Sequence, residues 1–145
     1  MSPRILLPPL LALLAGCAGQ TPGEPPPAPA ATLPQDPQRC ATRADCSTKV
    51  SRTLLFVFDY AAAGAPLMQR RERLLFTPEE AAPGDWPALR IRLAEPLDGR
   101  FEFAAECRLE RCRYDAAQLL RVYRSYLAGE PCSLLEDEAV RACAF

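Results

Sequence analysis

No histidine occurs among the 145 residues, and lysine is almost as scarce, with Lys49 alone beside sixteen arginines. Without histidine no Ser–His or Cys–His pair can form, and the usual nitrogen ligand of zinc is missing. No Cys-x-x-Cys pair occurs either, which argues against both a structural zinc site and a thioredoxin-like redox pair. No glycine-rich phosphate loop is present. The formal charge of −1 leaves no basic excess to attract nucleic acid. The longest apolar run, residues 5–14, falls short of the roughly 20 residues that a membrane-spanning helix needs, and Pro8-Pro9 interrupts it. These absences point away from an enzyme, a cofactor protein and a nucleic-acid binder.

What the chain does have is cysteine. Cys40, Cys46, Cys107, Cys112, Cys132 and Cys143 make an even set in a short chain, the composition of a disulfide framework. Six cysteines allow fifteen connectivities. If residues 133–143 form one continuous helix, Cys132 and Cys143 stand about 16 Å apart, at 1.5 Å per residue. That exceeds the roughly 7 Å that a bridge permits. Cys107 and Cys112 can pair only if residues 108–111 turn, because one strand would point them to opposite faces. The expectation is at least one bridge between the terminal helices and the sheet, with a local Cys107–Cys112 loop as the alternative.

A seventh cysteine sits apart. Met1 and Arg4 carry positive charge, residues 5–14 are apolar, and small residues then lead into Cys17. This is the order of an export signal. Leu14-Ala15-Gly16-Cys17 resembles the lipobox of bacterial lipoproteins. The resemblance covers about the first 20 residues. It implies diacylglycerol on the Cys17 thiol, cleavage before it, and acylation, as by palmitate, of the new amino terminus. Two or three acyl chains hold a protein on a membrane where one would not. Ala18 follows, where an aspartate is associated with inner-membrane retention; its absence resembles the outer-membrane class, facing the periplasm.

Seven prolines (Pro22, Pro25, Pro26, Pro27, Pro29, Pro34 and Pro37) fill residues 19–37 among small and polar neighbours. Such a segment buries too little to offset its ordering entropy and reads as an extended spacer, reaching up to about 60 Å. The organisation is therefore a signal peptide at 1–16, a lipidated cysteine and proline-rich linker at 17–37, and a domain at 38–145.

At the entrance to that domain Asp36-Pro37 carries a helix-start signal. Residues 50–60 contain Leu54-Leu55-Phe56-Val57-Phe58, apolar on both faces, and read as a central buried strand. Residues 68–76 read as one half-charged edge strand. Leu89, Ile91 and Leu93 alternate with Arg90 and Arg92, and Phe101, Phe103, Ala105, Cys107 and Leu109 alternate with charge, joined through an Asp98-Gly99 turn. Residues 77–87 read as an exposed loop carrying Trp86. Asp115 with Gln118 makes a capping box, an apolar stripe (Ala116, Leu119, Leu120, Tyr123, Leu127) follows, and Gly129 ends the helix. Ser133 with Glu136 repeats the box for a second helix through Cys143. The fold expected is α+β: an antiparallel sheet of about four strands with two C-terminal helices on one face, braced by disulfides.

The carboxylate pairs Glu79-Glu80 and Glu136-Asp137-Glu138 read as a loop pair and a helix first turn, not as a catalytic dyad. Arg100, Arg108, Arg111, Arg113, Arg121 and Arg124 interleave with Glu102, Glu106, Glu110 and Asp115, a mutually neutralised face. Two functions fit. One is a non-catalytic interaction or assembly protein of the envelope, bound to the membrane through its anchor and to another envelope protein. In anchor, size and disulfides it resembles pilotins and accessory lipoproteins of secretion or pilus machines. The other is a periplasmic inhibitor or ligand-binding module of the lysozyme- or protease-inhibitor type, with Trp86 as the projecting contact.

Overall fold

Thr42 starts the first helix by accepting the Asp45 amide on its hydroxyl at 3.1 Å, and α1 runs over Arg43–Ala62. The computed structural model describes residues 35–95 and 99–145. The expected signal peptide at 1–16, Cys17, nearly all of the expected linker at 17–37, and part of the Asp98-Gly99 turn lie outside the described residues.

The strand expected at 50–60 is instead the C-terminal half of α1. Cys46, Lys49, Thr53, Phe56 and Tyr60 are its buried residues, three or four apart, which is the helical period. Two of these are polar by type. The Lys49 ammonium donates to the Arg39 carbonyl and to Asp45 at 3.0 Å. The Thr53 hydroxyl bonds the Lys49 carbonyl at 2.9 Å and the Tyr123 hydroxyl at 3.0 Å. Leu55 and Phe58 meanwhile face outward. Gly64, at φ 99°, takes the left-handed position that ends the helix, with the Ala65 amide reaching back to the Tyr60 carbonyl.

Residues 68–76 form a hairpin rather than one strand. β1 (Gln69–Arg71) and β2 (Leu74–Phe76) reverse at Glu72, whose φ is 54°. β3 (Ala88–Arg92) and β4 (Glu102–Glu106) follow, in the order β1-β2-β3-β4, every pair antiparallel. Over the described residues the fold is α+β, a four-stranded antiparallel sheet with three helices and three disulfides. Register sets the inner face. Leu75, Ile91 and Phe103 align across β2, β3 and β4, with Leu89 beside Ala105. Phe56 packs against this face and against α2, its ring 6.1 Å from Phe103, 5.2 Å from Tyr123 and 5.4 Å from Tyr126.

α2 (Ala116–Ala128) carries the anticipated capping box, with bonds of 2.7 and 2.9 Å between Asp115 and Gln118, and ends at Gly129, φ 93°. The second C-terminal helix is shorter than its sequence suggests. α3 spans only Asp137–Ala142, because the Ser133 hydroxyl accepts the Leu135 amide in a local turn instead of capping. That turn brings Cys132 within 6.0 Å of Cys143, and the two are bonded. The other bridges are Cys40–Cys46 and Cys107–Cys112, so all three are local and none joins the terminal helices to the sheet. Asp36-Pro37 starts no helix either. Asp36 accepts the Gln38 and Arg39 amides in a turn, after which residues 38–40 bridge to 99–101. Among the described residues, no helix is long and apolar enough to cross a membrane.

Candidate functional site

Strand alternation that buries Leu75, Leu89 and Ile91 sends their neighbours to the opposite face, where no helix covers them. Three rows cross this open face. Arg71, Leu74, Arg92 and Glu102 form the first; Gln69, Phe76, Arg90 and Ala104 the second; Ala88 and Glu106 the third. Ala88 and Ala104 carry almost no side chain where their neighbours are long. The face therefore dips into an open groove of about 670 Å³, within the size range of ligand sites. Leu74, Phe76, Ala88 and Ala104 contribute apolar surface, while Arg71, Arg90, Glu79, Glu80, Glu106 and Arg108 bring charge.

The charges are sorted. Arg71 lies over the Phe76 ring at 5.8 Å, a cation–π contact. Arg90 stands opposite Phe76 across the β2–β3 pairing, on its other side. Among the described residues, the ion pairs are Lys49–Asp45, Arg73–Glu95, Arg92–Glu102, Arg100–Asp36 and Arg113–Asp137, so neither Arg71 nor Arg90 has a carboxylate within 4.0 Å. At the other end stand Glu106 and the loop residues Glu79 and Glu80. Arg108 shares that end, but its guanidinium is occupied by main-chain carbonyls, at 2.8 Å from Pro78 and 3.4 Å from both Thr77 and Glu79.

Arg108 lies inside the ring closed by Cys107–Cys112. From just beyond that ring the Arg113 amide donates to the Asp85 carbonyl at 2.7 Å. The disulfide loop thus grips the wall of the groove, residues 77–85, near both its ends. Glu79 and Glu80 are exposed on that wall, but Trp86 is not. It is 5% exposed, its ring 4.9 Å from Tyr60 and 5.2 Å from Tyr114, under the Arg113 guanidinium. A projecting tryptophan is therefore corrected: the indole closes one end of the core, and the loop offers glutamates instead.

The remaining sequence candidates have structural partners. Asp137 accepts the Tyr114 hydroxyl and pairs with Arg113 at 3.4 Å; the Tyr114 hydrogen bond leads in holding its carboxyl below the usual range. Arg100 pairs with Asp36, Arg121 donates to the Cys143 carbonyl, and Arg124 to the Gln38 side chain. The arginines of this region thus spend their donors on main-chain oxygens and distant side chains more than on the interleaved glutamates. All six described cysteines are in bridges, so none is a free thiol. Among the described residues no group of three metal-ligating side chains converges. Arg71, Phe76, Arg90 and Ala104 were not singled out by the sequence. The Arg90/Arg92 alternation marks an outward face, but only the register places Phe76 between two arginines. Comparison with family models, curated proteins and solved structures finds no match to this chain.

Proposed function

We propose that this chain is a lipid-anchored protein of the bacterial envelope, acylated at Cys17 and facing the periplasm from the outer membrane, whose domain binds another envelope protein without catalysing a reaction. The observation that carries the binding role is the open sheet face. α1 and α2 pack on the inner side of the sheet, while the other side presents an open groove in which apolar and charged side chains are interleaved. Protein–protein contacts of the non-obligate kind are about as apolar as the rest of a protein's surface, and a groove of this mixed character suits one. The lipobox supplies the anchor, and a spacer of roughly 20 residues gives the domain up to about 60 Å of reach. In this reading the anchor is part of the function, because confinement at the membrane raises the effective concentration of domain and partner.

Two measurements test it. Cys17→Ser should move the protein from the membrane fraction to the soluble periplasm; an unchanged membrane fraction refutes the anchor. A photo-crosslinking residue at Ala104, on the groove floor, should capture an envelope protein in intact cells, whereas one at Ser47, on the outside of α1, should not. Equal capture from both positions, or none from Ala104, refutes the open face as the binding surface.

A further inference from the structure

α1 turns its charges toward the fold and its apolar side chains away from it. Asp45 and Lys49 pair with each other at 3.0 Å, Arg52 donates to the Leu127 carbonyl at 2.7 Å, and Asp59 accepts the Tyr126 hydroxyl at 2.7 Å. Of the eight exposed residues on this helix only Arg43, in its first turn, is charged. An exposed helix face ordinarily carries the charged and polar residues. Here it carries Leu55 and Phe58, the latter 71% exposed, beside half-buried Leu54 and Ala61. Its polar members demand little water. Ser47, Thr48 and Ser51 each donate the hydroxyl proton to a carbonyl one turn back, at 3.1 to 3.3 Å.

The exposed stripe runs through Ala44, Thr48, Ser51, Leu55, Phe58 and Ala62. Its intervals of 4, 3, 4, 3 and 4 residues are those of a coiled-coil seam, and they read the same in both directions about Thr53. Thr53 also lies at the middle of α1. A second α1 laid antiparallel over the full length therefore sets Phe58 against Thr48, Leu55 against Ser51 and Ala62 against Ala44. Each large side chain meets a short one, the alternation that lets facing layers interdigitate. A parallel pair would stack Phe58 on Phe58 and leave Thr48 and Ser51 facing across a gap. With no charge in the stripe, pairing it with itself brings no like charges together.

From this we infer that α1 is the contact between two copies of this chain, paired antiparallel about a two-fold axis at the level of Thr53. Twenty residues make a contact about 30 Å long and one helix wide, about 10 Å. That falls short of the roughly 800 Å² per partner of a standard stable interface. The pair is therefore weak in dilute solution and forms where an anchor confines both copies to one membrane. Two linkers reaching up to about 60 Å each leave room for both anchors there. The need for confinement rests on the acylation proposed for Cys17. The helix contact does not, and it leaves the open sheet face free.

The test co-expresses two differently tagged copies of the full chain, with a photo-crosslinking residue at Ala62, and reads the product that carries both tags in intact cells. Irradiation should give that product from Ala62 and not from Glu138, an exposed position on α3. The double variants Thr48→Lys/Ser51→Lys and Leu55→Glu/Phe58→Glu change exposed side chains only and should keep the native circular dichroism. Either one, present in both copies, should lower the product at least tenfold. One variant in each copy should restore it, because the antiparallel register sets the introduced lysines against the introduced glutamates and a parallel one does not. Cys17→Ser, by ending the confinement, should also lower it at least tenfold. No product with both tags, equal product from Ala62 and Glu138, a different protein captured from Ala62 in place of a second copy, or no restoration in the mixed pair would overturn the inference. If Cys17→Ser leaves the chain on the membrane, the anchor fails while the charge exchange still decides the helix contact. A second copy captured from Ser47 contains this chain alone, and so is not the envelope protein sought from Ala104.

Discussion

Raising the pH should unfold this domain abruptly, about one to three units above the pH of 10 at which an unfolded tyrosine ionises, because its tyrosines resist ionisation in the folded state. All four are almost wholly buried: Tyr60 and Tyr123 at 0% exposure, Tyr114 at 2% and Tyr126 at 3%. Burial is the leading cause of a raised hydroxyl pKa at each. It lifts Tyr114 to about 12, with the Asp137 hydrogen bond adding to the effect. Tyr60 and Tyr126 are raised further by the nearby charges of Asp85 and Asp59, while at Tyr123 the Thr53 bond partly opposes the rise. An unfolded tyrosine ionises near pH 10, so above that value the unfolded chain binds fewer protons than the native one. Stability then falls as pH rises, by about 1.4 kcal/mol per unit for each such group. Four together reach roughly 5 kcal/mol per unit at the steepest. Against a total stability of about 5–15 kcal/mol, one to three units suffice to unfold the chain. The assay follows tyrosinate absorbance and near-ultraviolet circular dichroism in one titration. The two should change together in a single steep step. Tyrosinate appearing gradually with a midpoint near 10, while the dichroism stays native, would refute the reasoning.

Two further perturbations probe the site wall and the helix that backs it. The double variant Cys107→Ser/Cys112→Ser should cost about 2 kcal/mol from loop-closure entropy, and, by releasing the grip of Arg108, should speed amide exchange within residues 77–85; unchanged exchange there would deny the disulfide loop its hold on the groove. Asp115→Ala removes the side-chain half of the α2 capping box and should cost about 1 kcal/mol, read as a melting temperature lower by roughly 4–8 °C, and a change under 1 °C would show that the cap adds little.

Elements with local signatures were readable before the fold was known. α2 announces itself through Asp115, Gln118 and Gly129, all within its own sequence, and β3 through the alternation of Leu89 and Ile91 with arginines. α1 hides its period. Its buried stripe includes Lys49 and Thr53, which earn their place through partners on Arg39 and Tyr123, while Leu55 and Phe58 are apolar but outside. Hydropathy alone therefore suggests a strand. The β1–β2 reversal turns on Glu72 at φ 54°, a conformation that glycine or asparagine would have advertised and glutamate does not. Ser133 and Glu136 have the spacing of a capping box, yet the serine bonds two residues on, and the Cys132–Cys143 bridge follows from that displaced turn. The groove is a product of register: Ala88, Ala104 and Phe76 are distant in sequence and unremarkable alone.

Because every bridge is local, the cysteines pair in chain order: Cys40 with Cys46, Cys107 with Cys112, Cys132 with Cys143. A chain oxidised progressively from its N-terminus, each thiol joining its nearest predecessor, makes only native bonds and has nothing to reshuffle. That economy depends on where the count begins. Were Cys17 counted as a free thiol, the same rule would join it to Cys40, set Cys46 against Cys107 and leave Cys143 alone. The acylation proposed for Cys17 would take its thiol out of the count, and the lipid, besides anchoring the protein, would then set the reading frame of its disulfides.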